Sequence, residues 1–171
     1  GAYAGDAITT GQYNTALGRE ALSSVTTADS NTGIGRNAGG AITTGVQNTF
    51  IGSLAGDATD DGHNTAMGYL ALSANCGNTN AALGYLALSA TTGTDNTAVG
   101  AVSGYEVTSG SNNTFLGHDA GRTGSPGGNQ TTGNGSICLG DENIGDAYIQ
   151  VDWTVASDER DKTDFTALDL G

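Results

Sequence analysis

A chain of 171 residues with 29 glycines, one proline and 6% aromatic side chains is long enough for one domain but too poor in bulky apolar residues for a conventional core. A formal charge of -13 against only five Lys and Arg removes the electrostatic term on which nucleic-acid binding rests, and it disfavours an anionic membrane surface. Such acidity suits a Gly/Thr/Asn-rich β surface that must stay soluble, and no apolar run approaches the roughly 20 residues that span a bilayer.

The chain opens inside a repeat. Gly1-Ala2-Tyr3-Ala4-Gly5 reads as the second half of a unit, so the sequence is expected to be a fragment with no signal peptide to interpret. The full unit follows as Asn14-Thr15-Ala16-Leu17-Gly18-Arg19-Glu20-Ala21, and it returns from Asn31, Asn48, Asn64, Asn80, Asn96 and Asn113. With the glycine after the aliphatic residue as marker, Gly1, Gly18, Gly35, Gly52, Gly68, Gly84, Gly100 and Gly117 are separated by steps of 17 or 16, and a longer step leads to a degenerate ninth at Gly140. A repeat this short is one supersecondary unit stacked on itself.

Within each unit the Asn-Thr-x-aliphatic-Gly segment alternates too briefly for a helix and predicts a short strand. A second strand-like piece is expected at Ala7 to Gly11, Ser24 to Ala28, Ala41 to Gly45, Ala90 to Gly93 and Glu106 to Gly110, with Gly, Asn and Asp in the turns. Stacked coils pair each strand in parallel with its copy at about 4.8 Å, which gives an all-β parallel solenoid, or β-roll, roughly 35 to 40 Å long. Leu17, Ile34, Ile51, Met67, Leu83, Val99, Leu116 and Leu139 then form one apolar ladder; Thr15 and its equivalents share their side. Ala16, Gly33, Phe50, Ala66, Ala82, Ala98 and Phe115 point the other way, and both faces look covered. One large aliphatic, an alanine or two and an occasional leucine per coil bury too little to offset the ordering of the whole coil. Several chains are therefore expected to share a core, with Leu22, Leu54, Leu70, Leu72, Leu86 and Leu88 against a neighbour.

The Asn-Thr-Ala-aliphatic-Gly-x-x-Ala unit over residues 1–121 resembles the repeats of viral tail fibres and of trimeric bacterial adhesin heads. That resemblance implies left-handed parallel β-rolls arranged as three intertwined or side-by-side chains, a homotrimeric fibre. Residues 122–146 read as a loop or neck with a last degenerate coil, since 121–135 is rich in Gly, Thr, Asn and Ser and holds Pro126 before Ser136-Ile137-Cys138-Leu139-Gly140 closes the ladder. Residues 147–156 alternate Ile149, Val151, Trp153 and Val155, a further strand.

The last stretch, 157–171, turns densely charged. Ser157-Asp158, Arg160 and Lys162, directly after a β fibre, resemble the opening of the self-cleaving intramolecular chaperone of endosialidases and other phage tail spikes. The resemblance implies a Ser/Lys dyad, Ser157 as nucleophile and Lys162 as its base, cutting between Ala156 and Ser157. A serine hydroxyl attacks its own preceding carbonyl only if a neutral amine takes its proton, and Lys162 is neutral near pH 7 only when buried. Asp158, Glu159, Asp161 and Asp164 hold it protonated unless a folded chaperone rearranges them, so cleavage is expected only in a full-length precursor, and this chain is not expected to be an enzyme. Ser157 otherwise caps a short helix from Asp158.

Other signals carry less. Gly33-Ile34-Gly35-Arg36-Asn37-Ala38-Gly39 imitates a dinucleotide motif, but its letters belong to the repeat and lack a βαβ setting. His63 and His118 read as surface residues, Asp57, Asp60 and Asp61 as a solvated acidic turn rather than a calcium site, and Cys76 and Cys138 as free thiols; no metal or cofactor is expected. Three Asn-x-Ser/Thr sequons read as chance. The expected function is a structural and adhesive segment of a phage tail fibre, in the virion and extracellular, its partners two further copies and a host cell-surface receptor, a glycan among the candidates. Recognition would come from loop 121–135 and from Tyr69, Tyr85 and Tyr105. One alternative is a bacterial cell-surface trimeric adhesin head, which lacks the Ser157 to Lys162 signature. Another is an ice-binding solenoid, against which the irregular steps and the interspersed Phe50 and Phe115 count. A receptor-cutting hydrolase lacks paired carboxylates at equivalent positions.

Overall fold

The computed structural model describes residues 1–146. Eight three-residue strands, β1 (Thr15–Leu17), β2 (Thr32–Ile34), β3 (Thr49–Ile51), β4 (Thr65–Met67), β5 (Ala81–Leu83), β6 (Thr97–Val99), β7 (Thr114–Leu116) and β8 (Ile137–Leu139), stack in chain order into one parallel sheet. The chain is a β-solenoid, all-β among the described residues. Registers run Thr15 to Thr32, Thr32 to Thr49, Thr49 to Thr65 and on to Thr114 against Ile137, with no slip where the step shortens after β3 or lengthens after β7. The predicted strand at 147–156 lies outside the described residues.

The marker glycines fix that register. From Gly18 to Gly117 their φ lies between +117° (Gly117) and +144° (Gly84), and a Cβ on Gly52 would sit 2.5 Å from the Gly68 carbonyl oxygen one coil on. Only a residue without a Cβ lets consecutive coils approach so closely in that conformation.

Only one of the two predicted strand-like pieces is a strand. In the other, successive N–H groups converge on one acceptor instead of extending a ladder: Thr9, Thr10 and Gly11 all donate to the Thr26 carbonyl, at 2.9, 3.2 and 3.3 Å. Further along the stack the Asp60 carboxylate takes that place, accepting from the N–H groups of Thr43, Thr44 and Gly45. A nest of amides around an oxygen satisfies the backbone without extended pairing.

The core runs along the inside of the stack. Each strand's middle residue points inward, so Phe50, Ala66, Ala82, Ala98 and Phe115 are fully buried beside Val25, Ile42 and Val107. Leu22, Leu72 and Leu88, expected against a neighbouring chain, are in this core and inaccessible. Their backbones are left-handed, with φ of +51°, +52° and +50°. Volume is shared along the stack. Two coils with alanine in the strand carry leucine four residues past the marker (Ala66 with Leu72, Ala82 with Leu88), and those with phenylalanine carry glycine there (Phe50 with Gly56, Phe115 with Gly121); the Ala98 coil has Gly104, where a Cβ would meet Leu88 and Phe115 of the adjoining coils. A Cβ on Gly56 would meet the Phe50 ring at 2.5 Å.

The repeated asparagine is an internal tie. Asn31, Asn48, Asn64, Asn80, Asn96 and Asn113 are buried, and each side-chain oxygen accepts the backbone N–H of the equivalent residue one coil on. Several of their Nδ2 groups reach turn carbonyls, as Asn48 to Asp61 at 2.9 Å and Asn96 to Gly110 at 2.9 Å. A ladder of stacked amides supplies the polar satisfaction that an otherwise thin apolar core requires.

Candidate functional site

The inward face being saturated, the outward face of the sheet is what remains for function. The first and third residues of every strand point out, giving two parallel rows. One is Thr15, Thr32, Thr49, Thr65, Ala81, Thr97, Thr114 and Ile137; the other is the predicted aliphatic ladder. The ladder is not covered within the chain. Leu17 is 61% exposed, Met67 47%, Leu116 49% and Leu139 42%. A monomeric soluble protein scatters such residues singly, whereas a contiguous rank of them marks an interaction surface.

Immediately past the marker glycine the surface is graded along the rod. At one end it reads Arg19-Glu20 and Arg36-Asn37, at the other His118-Asp119; between them come Ser53-Leu54, Tyr69-Leu70, Tyr85-Leu86 and Ala101-Val102, with no charge. Arg19 bonds Glu20 of its own coil at 2.6 Å. Tyr69 and Tyr85 stack at a centroid distance of 5.8 Å with planes 11° apart. Leu54, Leu70 and Leu86 are half-buried, so they keep the position at the surface that Leu22, Leu72 and Leu88 do not.

Tyr105 stands apart from that pair, under the Arg122 guanidinium at 5.5 Å from its ring centroid. Arg122 also donates to Asp119 at 2.7 Å, and this hydrogen bond pushes its pKa up. Arg122 and Asp119 border a cleft of about 290 Å³ past β7 and β8, lined also by His118, Thr123, Asp141 and Asn143 among others. His118 is at the surface, as expected, and its Nδ1 lies 3.5 Å from Asp141 Oδ2 and 3.6 Å from Asp119 Oδ2, because the long coil after Gly117 returns Asp141 to the same height. Loop 121–135 folds back on itself, the Gln130 N–H donating to the Gly121 carbonyl and the Ser136 hydroxyl to Gln130 Oε1 at 3.1 Å.

Among the other predicted residues, Asp60 is engaged in the amide nest, while Asp57 has a buried Oδ1 without a hydrogen-bond partner, and burial pushes its pKa up. His63 is exposed. Cys76 and Cys138 are free and buried, and burial pushes both thiols up, away from nucleophilic thiolate. Among the described residues no cluster of three or more His, Cys, Asp or Glu side chains could hold a metal ion, and no helix is long and apolar enough to cross a membrane. Ser157, Lys162 and the Ala156-Ser157 bond lie outside the described residues.

Comparison with protein-family models, curated proteins and solved structures gives no match to this chain.

Proposed function

We propose that this chain is a structural and adhesive rod segment of a phage tail fibre, assembled from three copies and used in attachment to a host cell. The observation that carries this reading is the aliphatic ladder, one side chain per coil over eight consecutive strands, exposed at six of them and half-buried at Ile34 and Ile51, on a face whose opposite side is already packed. Leaving it in water forfeits stabilisation of about 25 cal/mol for each Å² of apolar surface that copies of the chain would cover. In a precursor with a complete C-terminal chaperone, Ser157 and Lys162 carry the self-cleavage that releases the fibre; residues 1–146 are assigned no chemical step. A bacterial trimeric adhesin head uses the same ladder and departs from this reading only at Ser157 to Lys162. Sedimentation equilibrium tests the assembly: a mass of three chains supports the reading, and a stable monomer at micromolar concentration removes it.

An ice-binding solenoid is the second reading, favoured by one observation: the exposed threonine row stands beside the aliphatic row on a single sheet. Both sequence arguments against it lapse, since the uneven steps leave the register intact and Phe50 and Phe115 are inside. Freezing-point depression beyond the colligative value by the isolated protein would promote it over the fibre.

A further inference from the structure

We propose that the copies meet through a two-sided contact at equal height, in which the Tyr69–Tyr85 strip of one chain packs on the threonine-row flank of the next, with the Tyr85 ring over Ala81. This rests on the self-assembly reading above and names the surfaces that build it. The sheet alone is too small to hold two copies back to back. Eight strands spaced about 4.8 Å apart span roughly 34 Å, and three residues at about 3.3 Å cover roughly 10 Å, a face of about 340 Å². A standard stable interface needs about 800 Å² from each partner. A closed ring of copies adds to that area, because each chain then uses both flanks of its sheet as well as the ladder, which turns toward the common axis.

The two flanks are unlike, as a contact between different patches requires. On the flank past the marker glycine, the uncharged run from Ser53-Leu54 to Ala101-Val102 widens the apolar ladder where the stacked tyrosines stand, exposed at 45% and 52%. On the other flank the threonine row is unbroken from Thr15 to Thr65, then loses its hydroxyl at Ala81, in the coil that carries Leu83 and Tyr85. A small apolar residue at that height leaves room for a ring that the copies' equal heights bring to it.

Two variants, Ala81→Cys and Tyr85→Cys, test this separately and co-expressed, under mild oxidation, with the parent chain and its buried Cys76 and Cys138 as background. The expected result is a disulfide-linked pair of chains only from the co-expressed mixture, together with protection of Tyr69 and Tyr85 from nitration while the 82%-exposed Tyr13 reacts. Cross-linking of either variant with itself would show a two-fold contact and overturn the proposal. A three-chain mass with no mixed cross-link and with both tyrosines nitrated would overturn it too, leaving self-assembly intact. A monomeric mass for the parent chain would remove both.

Discussion

The backbone N–H and the Nδ2 of Asn48 both donate to the single side-chain oxygen of Asn31, at 3.0 and 3.1 Å, with both residues fully buried. One amide thus ties two coils, and Asn48 in turn accepts the N–H of Asn64 at 2.9 Å and donates to the Asp61 carbonyl. Asn48→Ala strands the Asn64 N–H away from water and takes the donor from the part-buried Asp61 carbonyl. The expected loss is about 2 to 4 kcal/mol, from about 1 to 3 kcal/mol per unsatisfied buried group, read as a lower denaturation midpoint in urea at unchanged slope.

Gly52→Ala and Gly128→Ala separate close approach from backbone conformation. At Gly52 a Cβ meets the Gly68 backbone at a φ of +135°, whereas at Gly128, φ +72°, nothing lies within 4 Å. The second substitution should cost about 1 to 2 kcal/mol, the ordinary penalty for a left-handed non-glycine residue. The first should cost well beyond that, at about 4 kcal/mol or more, since two coils must separate. Equal thermal shifts for the two would show that coil contact is not what fixes the marker.

Phe50→Ala empties the largest volume in its coil and should cost about 3 to 5 kcal/mol. Adding Gly56→Leu to it recreates the Ala66 with Leu72 arrangement, including leucine at a left-handed position, as at Leu72 with φ +52°. The double variant should recover about half of the loss, whereas Gly56→Leu alone, driven into the Phe50 ring, should be worse than the parent.

Two aspartates should move stability in opposite directions with pH. Burial alone would raise the Asp60 pKa, but hydrogen bonds from Thr43, Thr44 and Gly45 together hold it below the ordinary 3.8. Its contribution is therefore present above pH 3.8 and lost as pH falls through the folded value, and Asp60→Asn should flatten that acid limb. Asp57 is the reverse. Burial raises it above 3.8, the folded state binds the extra proton, and stability falls as pH rises through the raised value. Asp57→Asn should stabilise at neutral pH and lose that advantage below pH 3.8, as read from thermal midpoints across the range.

Met67→Glu places a charge in the ladder at a position 47% exposed, where a lone coil stack tolerates it. On the proposed assembly, the expected outcome is loss of the multi-chain mass with the β circular dichroism spectrum retained. An unchanged mass would mean that the ladder is not the contact.

Much of this architecture was legible in the order of the residues, because the glycine after each aliphatic residue marks where backbones touch, and touching backbones repeat with the stack. The alternation of Ala66 and Met67 gave the two faces for the same reason. What escaped were features that depend on conformations the side chains do not announce. Leu72 and Leu70 look equivalent in sequence, yet both have positive φ and only Leu72 is inside, a difference set by its place in the chain of turns. The asparagine, read merely as the start of a strand, could have been recognised as internal: an amide at one phase of every coil must face its own copies. The His118 and Asp141 proximity depends on the path of the long coil between Gly117 and Gly140, which the shorter period of the earlier coils does not foretell.

Because the register from β1 to β8 holds whether the step between strands is short or long, the far side of each coil is free to vary while the paired side is not. Duplicating or deleting one whole unit joins surfaces that already fit and alters reach by about 4.8 Å. A lineage can therefore adjust how far such a spoke extends in small equal increments, and change what its outer bends display, without redesigning a single junction.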